Sequence, residues 1–353
     1  MKLPPLSQAQ TLVPGRRRIF IGSYGFEDRS LGWFTLQPKN KPVLKRALMV
    51  RYQQPKGTNR ISEIRAALAS LGVNAPVDVA YDVEAGEPFE YLFDEAISRC
   101  DVSSFDEIVV DVSSMTKFAL LLVLVKLIPI AKLVRIVYSE ARTYAPSRTE
   151  YQHSKEHQEL LARFPSAGVR TILRAVSLSS IRMQGQPITL VAFTSFNEQL
   201  VRHLIGTLNP HRLIFINGSP PRRENAWRKT ATQEIHAKLI AEYDRDNPMV
   251  DSTLKRTIST LFYEESFREL TNIHEEHGLY ERIICAATGS KMQTVGLAMA
   301  KLAHPDIHIE YPTPDSYYVG GFSSGIREVH EITISNARNF ANSLHQTAAI
   351  LPM

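Results

Sequence analysis

The sequence predicts an α/β protein: a tandem duplication of two Rossmann-like, mostly parallel sheets flanked by helices. Two observations lead to this fold class. Short apolar runs alternate with stretches of helical periodicity, which is the pattern of a parallel sheet with helices on both faces. The alternation then begins again near the middle of the chain, with similar loops in the same order.

The first unit follows a proline-containing, basic arm, and its strands are short aliphatic runs bounded by polar or glycine-containing loops. Its predicted elements, in chain order, are strand Arg18 to Gly22, strand Ala47 to Tyr52, helix Arg60 to Leu71, strand Val77 to Val83, helix Pro88 to Cys100, strand Glu107 to Val112, helix Met115 to Ile128 and strand Leu133 to Tyr138.

The second unit repeats this order after a connection that is charged at first and then helical in pattern. Its predicted elements are strand Ile188 to Phe193, helix Phe196 to Leu208, strand Arg212 to Ile216, helix Asn225 to Tyr243, an element of either type from Thr253 to Phe262, helix Glu264 to His277, strand Arg282 to Ala286, helix Lys291 to Leu302 and strand Ile307 to Tyr311.

Five segments follow from these elements. They are an extended N-terminal arm at residues 1–17, Rossmann-like unit 1 at 18–146, a helical connection at 147–187, Rossmann-like unit 2 at 188–335 and a C-terminal tail at 336–353.

Three local matches support an internal duplication. A turn with a hydroxyl residue followed by lysine comes after the late strand of each unit, at residues 111–117 and 286–292. The two further matches are tyrosines six positions apart, Tyr138 with Tyr144 and Tyr311 with Tyr317, and related loops after the second strands, at residues 54–60 and 219–225.

The composition fits a globular protein. Of 353 residues, 44% are hydrophobic and 22% charged, which is enough apolar material for a core in each unit. The longest apolar run, Ala119 to Ala131, is too short to span a bilayer and contains Lys126 and Pro129. With two cysteines and no pattern of a secretion signal, we expect a cytoplasmic protein without a disulfide framework. The net charge of +5 favours an anionic partner.

The two hydroxyl-lysine turns are the first candidates for a ligand site. In open α/β sheets ligands bind beyond the carboxyl ends of the strands, where helix N-termini offer backbone N–H groups and a partial positive charge. The predicted phosphate-binding residues are Ser113, Ser114, Thr116 and Lys117 in the first turn, and Thr288, Ser290 and Lys291 in the second. The alternative is that these residues cap their helices and that each lysine lies on the helix surface.

The loops after the first strands form the other wall of each predicted site. Ser23 and Arg29 in unit 1, and Thr194, Ser195 and Asn197 in unit 2, are the candidate ligand-binding residues there. If the protein is an enzyme, the candidate catalytic residues are Glu27, Asp28 and Asp111. The structural alternative is that Asp28 caps the next helix and Arg29 pairs with Glu27 on the surface.

Several other chemistries find no support. Neither a Walker loop nor a Gly-x-Gly-x-x-Gly turn is present, which disfavours ATP hydrolysis and dinucleotide redox chemistry. His153 with His157 and His274 with His277 are spaced to share a helix face, and we interpret them as surface pairs rather than metal ligands, so no metal site is predicted. No particular cofactor is indicated. Basic residues after the second strands are a further source of positive charge: Lys56, Arg60, Arg222, Arg223, Arg228 and Lys229.

The turns at residues 111–117 and 287–292, with hydroxyl-bearing loops at Ser23 and at Thr194-Ser195, resemble the CRISPR-associated Rossmann fold (CARF) family. That family is similar in having a hydroxyl-rich first loop and a Thr-Gly-Gly-Thr-Lys-like turn after a late strand. The resemblance implies a sensor of cyclic oligonucleotides that works as a dimer with ligand across its two-fold axis; here both units come from one chain. The motif differs in each copy, with Ser114-Met115 in place of the paired glycines and Gly289 as the one glycine retained.

The leading hypothesis is therefore a nucleotide-recognising sensor or regulatory subunit, in bacterial antiviral defence, that binds a nucleotide or oligonucleotide and acts through a separate effector protein. One alternative is an enzyme, a nuclease or nucleotide hydrolase acting on a phosphodiester. Another is a scaffold subunit that binds a protein or DNA partner through its basic faces. No membrane partner is expected.

Overall fold

A computed structural model describes residues 2–53, 59–82, 88–156, 166–247, 253–317 and 322–349. The chain divides into two compact units, one made of residues 1–145 and 319–344 and the other of residues 146–318 and 345–353. Each unit is a mostly parallel sheet flanked by helices, which confirms the predicted fold class. No helix in the described ranges has the length and apolar character needed to cross a membrane.

The first unit contains a seven-stranded sheet in the order β1-β15-β6-β5-β2-β3-β4. Its strands are β1 (Ser7–Gln8), β2 (Arg18–Ser23), β3 (Arg46–Tyr52), β4 (Val77–Tyr81), β5 (Glu107–Asp111), β6 (Leu133–Tyr144) and β15 (Ser323–Ser335). Its helices are α1 (Gly32–Thr35), α2 (Ile61–Ser70), α3 (Phe89–Arg99) and α4 (Lys117–Leu127). Strands β2 to β6 are parallel to their neighbours, whereas β15 and β1 are antiparallel additions at one edge.

Both faces of the first sheet are buried, and helix α4 packs on one of them. From Phe118 to Leu124 every side chain is buried, so the helix is apolar all round and lies within the unit. On the other face Phe20 stacks on Trp33, with ring centroids 5.0 Å apart. Strands buried on both faces read as continuous apolar runs, as in residues 19–21 and 108–110.

The predicted unit 2 includes residues 323–335, but in the structure these residues form strand β15 of the first sheet. It lies antiparallel to β6, with Ile332 opposite Ile136.

Buried charged residues connect β15 to the neighbouring strands. Burial would raise the pKa of Glu107, but Arg135 and Arg18 donate hydrogen bonds to it and hold that pKa below its usual range. Arg135 also donates to Glu331 of β15 at 2.6 Å. This network joins residues almost 200 positions apart, which local sequence patterns do not reveal.

Part of the predicted N-terminal arm also belongs to this sheet. Ser7–Gln8 pairs with β15, and Leu12 is buried, with its backbone N–H donating to Gln37 Oε1 at 2.9 Å. The predicted extended arm is thus an edge strand followed by an anchored segment.

The second unit contains a six-stranded sheet in the order β11-β10-β9-β12-β13-β8, with β14 and β7 paired apart from it. Its strands are β7 (Ser166–Ala167), β8 (Thr171–Leu173), β9 (Ile188–Phe193), β10 (Arg212–Ser219), β11 (Thr253–Ser259), β12 (Arg282–Ala286), β13 (His308–Thr313) and β14 (Ser316–Tyr317). Its helices are α5 (Arg148–Glu156), α6 (Gln199–Leu208), α7 (Trp227–Asp246), α8 (Tyr263–His277) and α9 (Lys291–Ala303). The element of undecided type is strand β11, parallel to β10.

The connection at residues 147–187 is helical only in part. Helix α5 covers its charged beginning, but Thr171–Leu173, expected to be helical, is a strand antiparallel to β13. Ile172 packs against the core formed by Leu190, Phe215 and their neighbours. The need to cover the edge of β13 outweighs the weak helical pattern of this segment. Residues 336–353, expected to form a tail, contain helix α10 (Ala337–Ala349), in which Leu344 is buried.

The two sheets share one strand order. Counted from β4, the first sheet has β2 in third place and β5 in fourth place; counted from β11, the second sheet has β9 in third place and β12 in fourth place. In each sheet an antiparallel strand lies beyond the last parallel strand: β15 beside β6, and β8 beside β13. The strands β2 and β5 therefore correspond to β9 and β12. We retain the duplication itself as a proposal that this common order supports.

Candidate functional site

In unit 1 the two predicted loops meet at the carboxyl edge of the sheet. Ser23 is the last residue of β2, and Ser114 lies in the turn that follows β5. Their hydroxyl oxygens are 2.9 Å apart, and Ser114 Oγ also lies 3.3 Å from the carbonyl oxygen of Ser23. The sequence prediction that these serines lie on facing loops agrees with this geometry.

A glycine makes this approach possible. A Cβ atom on Gly25 would lie 2.4 Å from Cβ of Ser114, a distance that real side chains do not tolerate. Gly25 is thus required for space, because its loop passes directly over the Ser114 side chain.

Ser113 and Asp111 stabilise the turn from inside. The Ser113 N–H donates to Asp111 Oδ1 at 2.9 Å, and Ser113 Oγ accepts from the Ser139 N–H at 2.8 Å. Both side chains are buried. Their predicted roles as ligand-binding and catalytic groups would require this turn to open, so we assign them to the scaffold of the site.

Thr116 and Lys117 begin helix α4. Thr116 is the N-cap, and its side chain accepts from the Ala119 N–H at 3.3 Å. The Thr116 N–H donates to the hydroxyl of Tyr52 at 2.7 Å, so Tyr52 at the end of β3 is a residue of this site that the sequence analysis did not include. Lys117 is the first helical residue, and desolvation lowers its pKa from 10.5 to about 8. A lysine there is partly desolvated and sits where the helix dipole disfavours a cation.

The three charged residues of the first loop are tied to the fold. Glu27 and Arg29 form a two-pronged ion pair with N–O distances of 2.8 and 3.0 Å, and Ser323 donates to Glu27 at 2.7 Å. The predicted surface pair is in fact buried. Asp28 accepts from the Gly325 N–H at 2.7 Å and from Arg60 at 2.5 Å, and its side chain makes no cap bond to the following helix.

In unit 2 the corresponding turn begins helix α9 with a capping box. Ser290 Oγ accepts from the Gln293 N–H at 3.1 Å, and Gln293 Oε1 accepts from the Ser290 N–H at 2.8 Å. Ser290 also donates to the carbonyl of Thr260 at 2.6 Å, and Thr288 donates to the carbonyl of Phe193 at 2.5 Å. Both hydroxyl protons in this turn are therefore directed at backbone carbonyls. Lys291 follows the cap, as Lys117 does in unit 1.

Gln293 offers a donor that the sequence analysis did not consider. It is buried, and its Nε2 has no hydrogen-bond partner among the described residues. A Cβ on Gly218, near the end of β10, would lie 3.5 Å from that nitrogen. An unpaired buried amide N–H is unfavourable by roughly 1 to 3 kcal/mol, and an acceptor atom supplied by a ligand would relieve this. The signal in the sequence was the capping-box spacing from Ser290 to Gln293.

The first loop of unit 2 is held by local contacts. Thr194 Oγ1 lies 3.4 Å from Thr232 Oγ1, and Ser195 donates to the carbonyl of Asn197 at 3.3 Å. The Asn197 amide lies 3.4 Å from the carbonyl oxygen of Gly168. Thr194 and Asn197 are buried, so Ser195 is the more accessible of these predicted ligand-binding residues.

The predicted basic residues differ in their surroundings. Arg60 pairs with Asp28, as described above. Arg228 donates to the carbonyl of Pro146 at 2.7 Å and lies over the ring of Phe196, 4.8 Å from its centroid. Lys56 lies outside the described residues.

An acidic and imidazole cluster lies beyond the end of β5 in unit 1. His330 Nε2 is 3.2 Å from Glu140 Oε2 and 4.0 Å from Glu328 Oε2. Glu140 follows Ser139, whose N–H contacts Ser113 of the turn. The three side chains could hold a metal ion. The predicted histidine pairs are not part of this cluster: His153 is exposed on α5, and His157 lies outside the described residues.

Fold and site together define two Rossmann-like units, each with a capped helix N-terminus and an adjacent lysine at the carboxyl edge of its sheet. No protein-family model and no curated protein matches the chain. Among solved structures it is similar to "Structure of a Type III CRISPR defence DNA nuclease activated by cyclic oligoadenylate", with 9% identity, 88% of this chain and 68% of that chain covered, and a TM-score of 0.46. Histamine dehydrogenase from Rhizobium sp. 4-9 matches with 8% identity, coverages of 70% and 30%, and a TM-score of 0.16. Scores this low assign neither family nor function.

Proposed function

We propose that the protein is a nucleotide-recognising sensor or regulatory subunit that binds phosphate groups at the carboxyl edge of each sheet. The observation that carries this proposal is the repeated turn: in both units a capped helix begins with lysine immediately beyond the late strand. Neither cap needs the lysine, because the cap bonds come from Thr116 and Ser290. Backbone N–H groups with a nearby cation are what a phosphate oxygen requires.

The donors available to phosphate differ between the units. In unit 1, when Ser114 donates to Ser23, the Ser23 proton can bind a ligand oxygen. In unit 2, where the hydroxyl protons are engaged, the amide of Gln293 takes that role beside the N–H groups of α9. Thr288 and Ser290 are then supports of the site rather than direct ligands.

The charged groups of the first loop favour binding over catalysis. Glu27 is neutralised by Arg29, and Asp28 accepts two hydrogen bonds from the fold. A general base or metal ligand must be able to reach the reacting group. With these carboxylates engaged, we propose that the first loop shapes the ligand site and does no chemistry.

The resemblance to the CARF family suggests a cyclic oligonucleotide as ligand and a separate effector protein as output, in antiviral defence. The decisive experiment is mass spectrometry of small molecules released from purified protein, followed by calorimetric titration with mononucleotides, linear oligonucleotides and cyclic oligoadenylate. We expect one nucleotide class to bind without turnover. Absence of binding by every nucleotide, with DNA or a protein partner binding instead, would favour the scaffold.

A second candidate, a metal-dependent phosphodiesterase, rests on Glu140, Glu328 and His330 rather than on the carboxylates predicted from sequence. Two carboxylates and an imidazole could bind Mn²⁺ next to the turn of unit 1. Hydrolysis of nucleotides or DNA with Mn²⁺, lost in Glu140→Gln and retained in Glu63→Gln at an exposed position of α2, would establish this function. Absence of turnover would leave the sensor.

A further inference from the structure

Three potential metal ligands converge at the amino-terminal edge of the second sheet, in the loops that lead into β12 and β13. His274 lies in the last turn of α8, His304 follows α9, and Asp306 precedes β13. His274 Nε2 is 2.7 Å from Asp306 Oδ2, and the two imidazole rings lie with centroids 4.0 Å apart. One ligand atom from each side chain lies within 4.8 Å of the other two. The sequence spacing had instead paired His274 with His277.

His304 is the least expected member of this cluster. Its side chain is 4% exposed, and Nε2 has no hydrogen-bond partner among the described residues. An imidazole nitrogen that is buried and has no hydrogen-bond partner can bind a metal ion that enters the cluster.

Gly278 leaves space beside the cluster. Its φ of −65° is available to any residue, so backbone conformation does not require glycine at this position. A Cβ there would lie 3.0 Å from His274 Nε2 and 2.6 Å from the His274 carbonyl oxygen. The glycine therefore keeps the metal-facing nitrogen of His274 uncrowded.

We propose that His274, His304 and Asp306 bind a divalent transition-metal ion of the zinc type. Two imidazoles and one carboxylate are a donor set that zinc favours, whereas calcium and magnesium prefer oxygen ligands alone. Tetrahedral zinc needs ligand atoms about 3.3 Å apart. His274 Nε2 and Asp306 Oδ2 would therefore move apart from 2.7 Å, and atoms separated by up to 4.8 Å would move closer by at most about 1.5 Å. The fourth position is left for water or a further ligand.

The position of this site indicates a structural role. It lies at the opposite edge of the sheet from Thr288 and Lys291, because both of its loops enter strands rather than leave them. A bound ion would join the end of α8 to the loop after α9. This inference is independent of the proposed nucleotide function.

The test uses full-length, untagged protein stripped with EDTA and then titrated with Co²⁺ and with Zn²⁺. We expect one equivalent of Co²⁺ to bind with the visible absorption of tetrahedral coordination, Zn²⁺ to displace it, and Zn²⁺ to raise the melting temperature. Loss of even an outer partner lowers metal affinity about ten- to a hundredfold, so His274→Gln and Asp306→Asn should each lose more than that.

His277→Gln is the matched control, since His277 lies on the same helix but contacts Glu276 and Glu281. It should bind Co²⁺ as the unchanged protein does. His274 and Asp306 are each at least 20% exposed, so their variants should fold even if a change at buried His304 does not. Absence of Co²⁺ and Zn²⁺ binding, or equal affinity in all variants, would overturn the proposal.

Discussion

The turns after β5 and β12 occupy the same position in their sheets and reach it with different contacts. In unit 1 the turn is held by side chains of the opposite loop, Ser23 with Ser114, and by Tyr52. In unit 2 it is held by the capping box of Ser290 and by hydroxyls donating to backbone carbonyls. Hydroxyl residues at such a turn therefore do not by themselves indicate ligand binding. The lysine after each cap is what both turns share and neither cap requires.

The glycines that allow close packing lie on opposite loops of the two units. Gly25 is in the first loop of unit 1 and gives way to Ser114 of the turn. Gly289 is in the turn of unit 2, where a Cβ would lie 2.8 Å from Cβ of Phe193 at the end of the first strand. In both units the first loop and the turn come close together because one of them has a glycine, which is in the first loop in unit 1 and in the turn in unit 2.

The largest effect on stability should come from Lys117. Its pKa is lowered by desolvation from 10.5 to about 8, so folding is opposed by up to about 3 kcal/mol while the lysine is charged. Lys117→Met should therefore raise the free energy of unfolding at pH 7. Between about pH 8 and 10.5 Lys117 binds a proton in the unfolded chain but not in the folded one, so the unchanged protein should gain stability across that window as pH rises. The variant should gain less, because Lys301, whose pKa burial also lowers to about 8, remains.

Denaturant unfolding at several pH values measures this difference. Lys132→Met is the control, because Lys132 is 60% exposed and pairs with Asp106 at the other edge of the sheet. Equal changes in the free energy of unfolding for Lys117→Met and Lys132→Met would show that burial does not destabilise the charged form of Lys117.

Next in size is the effect of filling the two glycine positions. Gly25→Ala should destabilise the protein by about 1 to 3 kcal/mol through its clash with Ser114, and Ser114→Gly should recover most of that loss. Gly289→Ala should be comparably destabilising, but Gln293→Ala should not rescue it because Phe193 Cβ remains in contact. Double-mutant cycles from thermal unfolding measure both couplings. Rescue in both units, or in neither, would contradict this difference between the two units.

The smallest expected difference concerns the serine hydroxyls. Ser290→Ala removes a helix cap and should cost about 1 kcal/mol, whereas Ser114→Ala removes a contact that caps no helix and should cost about half as much. Ser343→Ala, on part-buried α10, is a reference for a hydroxyl outside both sites. Urea midpoints of the three variants measure the loss of stability in each. A larger loss for Ser114→Ala than for Ser290→Ala would contradict the conclusion that Ser290 caps a helix and Ser114 does not.

Much of the fold follows from the sequence because its strands are short apolar runs with distinct boundaries. Strands β2 and β9 and helix α9 begin or end within two residues of the predicted limits. The partner of β6 could not be predicted, because β15 lies almost 200 residues away and carries charged residues such as Glu331, which is buried and pairs with Arg135. Likewise β8 has three residues, too few for a periodic signal.

The candidate site was predicted in position more than in chemistry. The spacing of strand, turn and helix predicted Ser114 on the loop that faces Ser23 and Lys117 near a helix start, and the structure has the two hydroxyl oxygens 2.9 Å apart and Lys117 as the first residue of α4. The structural alternative paired Arg29 with Glu27 on the surface, where such a pair is usually solvated; the sequence did not reveal that the pair is buried, with Ser323 from a distant segment donating to Glu27. Gln293 was also missed, since a capping residue gives no sign that its second polar atom lacks a partner.

The two lysines test the central claim most directly. Calorimetric titration should compare the unchanged protein with Lys117→Ala, Lys291→Ala and the double variant, using the tightest-binding nucleotide, with Lys132→Ala and exposed Lys238→Ala as controls of equal charge change. A charge-assisted contact to phosphate contributes about 1.5 to 3 kcal/mol, so each site variant should lose roughly ten- to a hundredfold in affinity. The controls should retain wild-type affinity. Unchanged nucleotide affinity in the correctly folded double variant would contradict the phosphate-binding role of both turns.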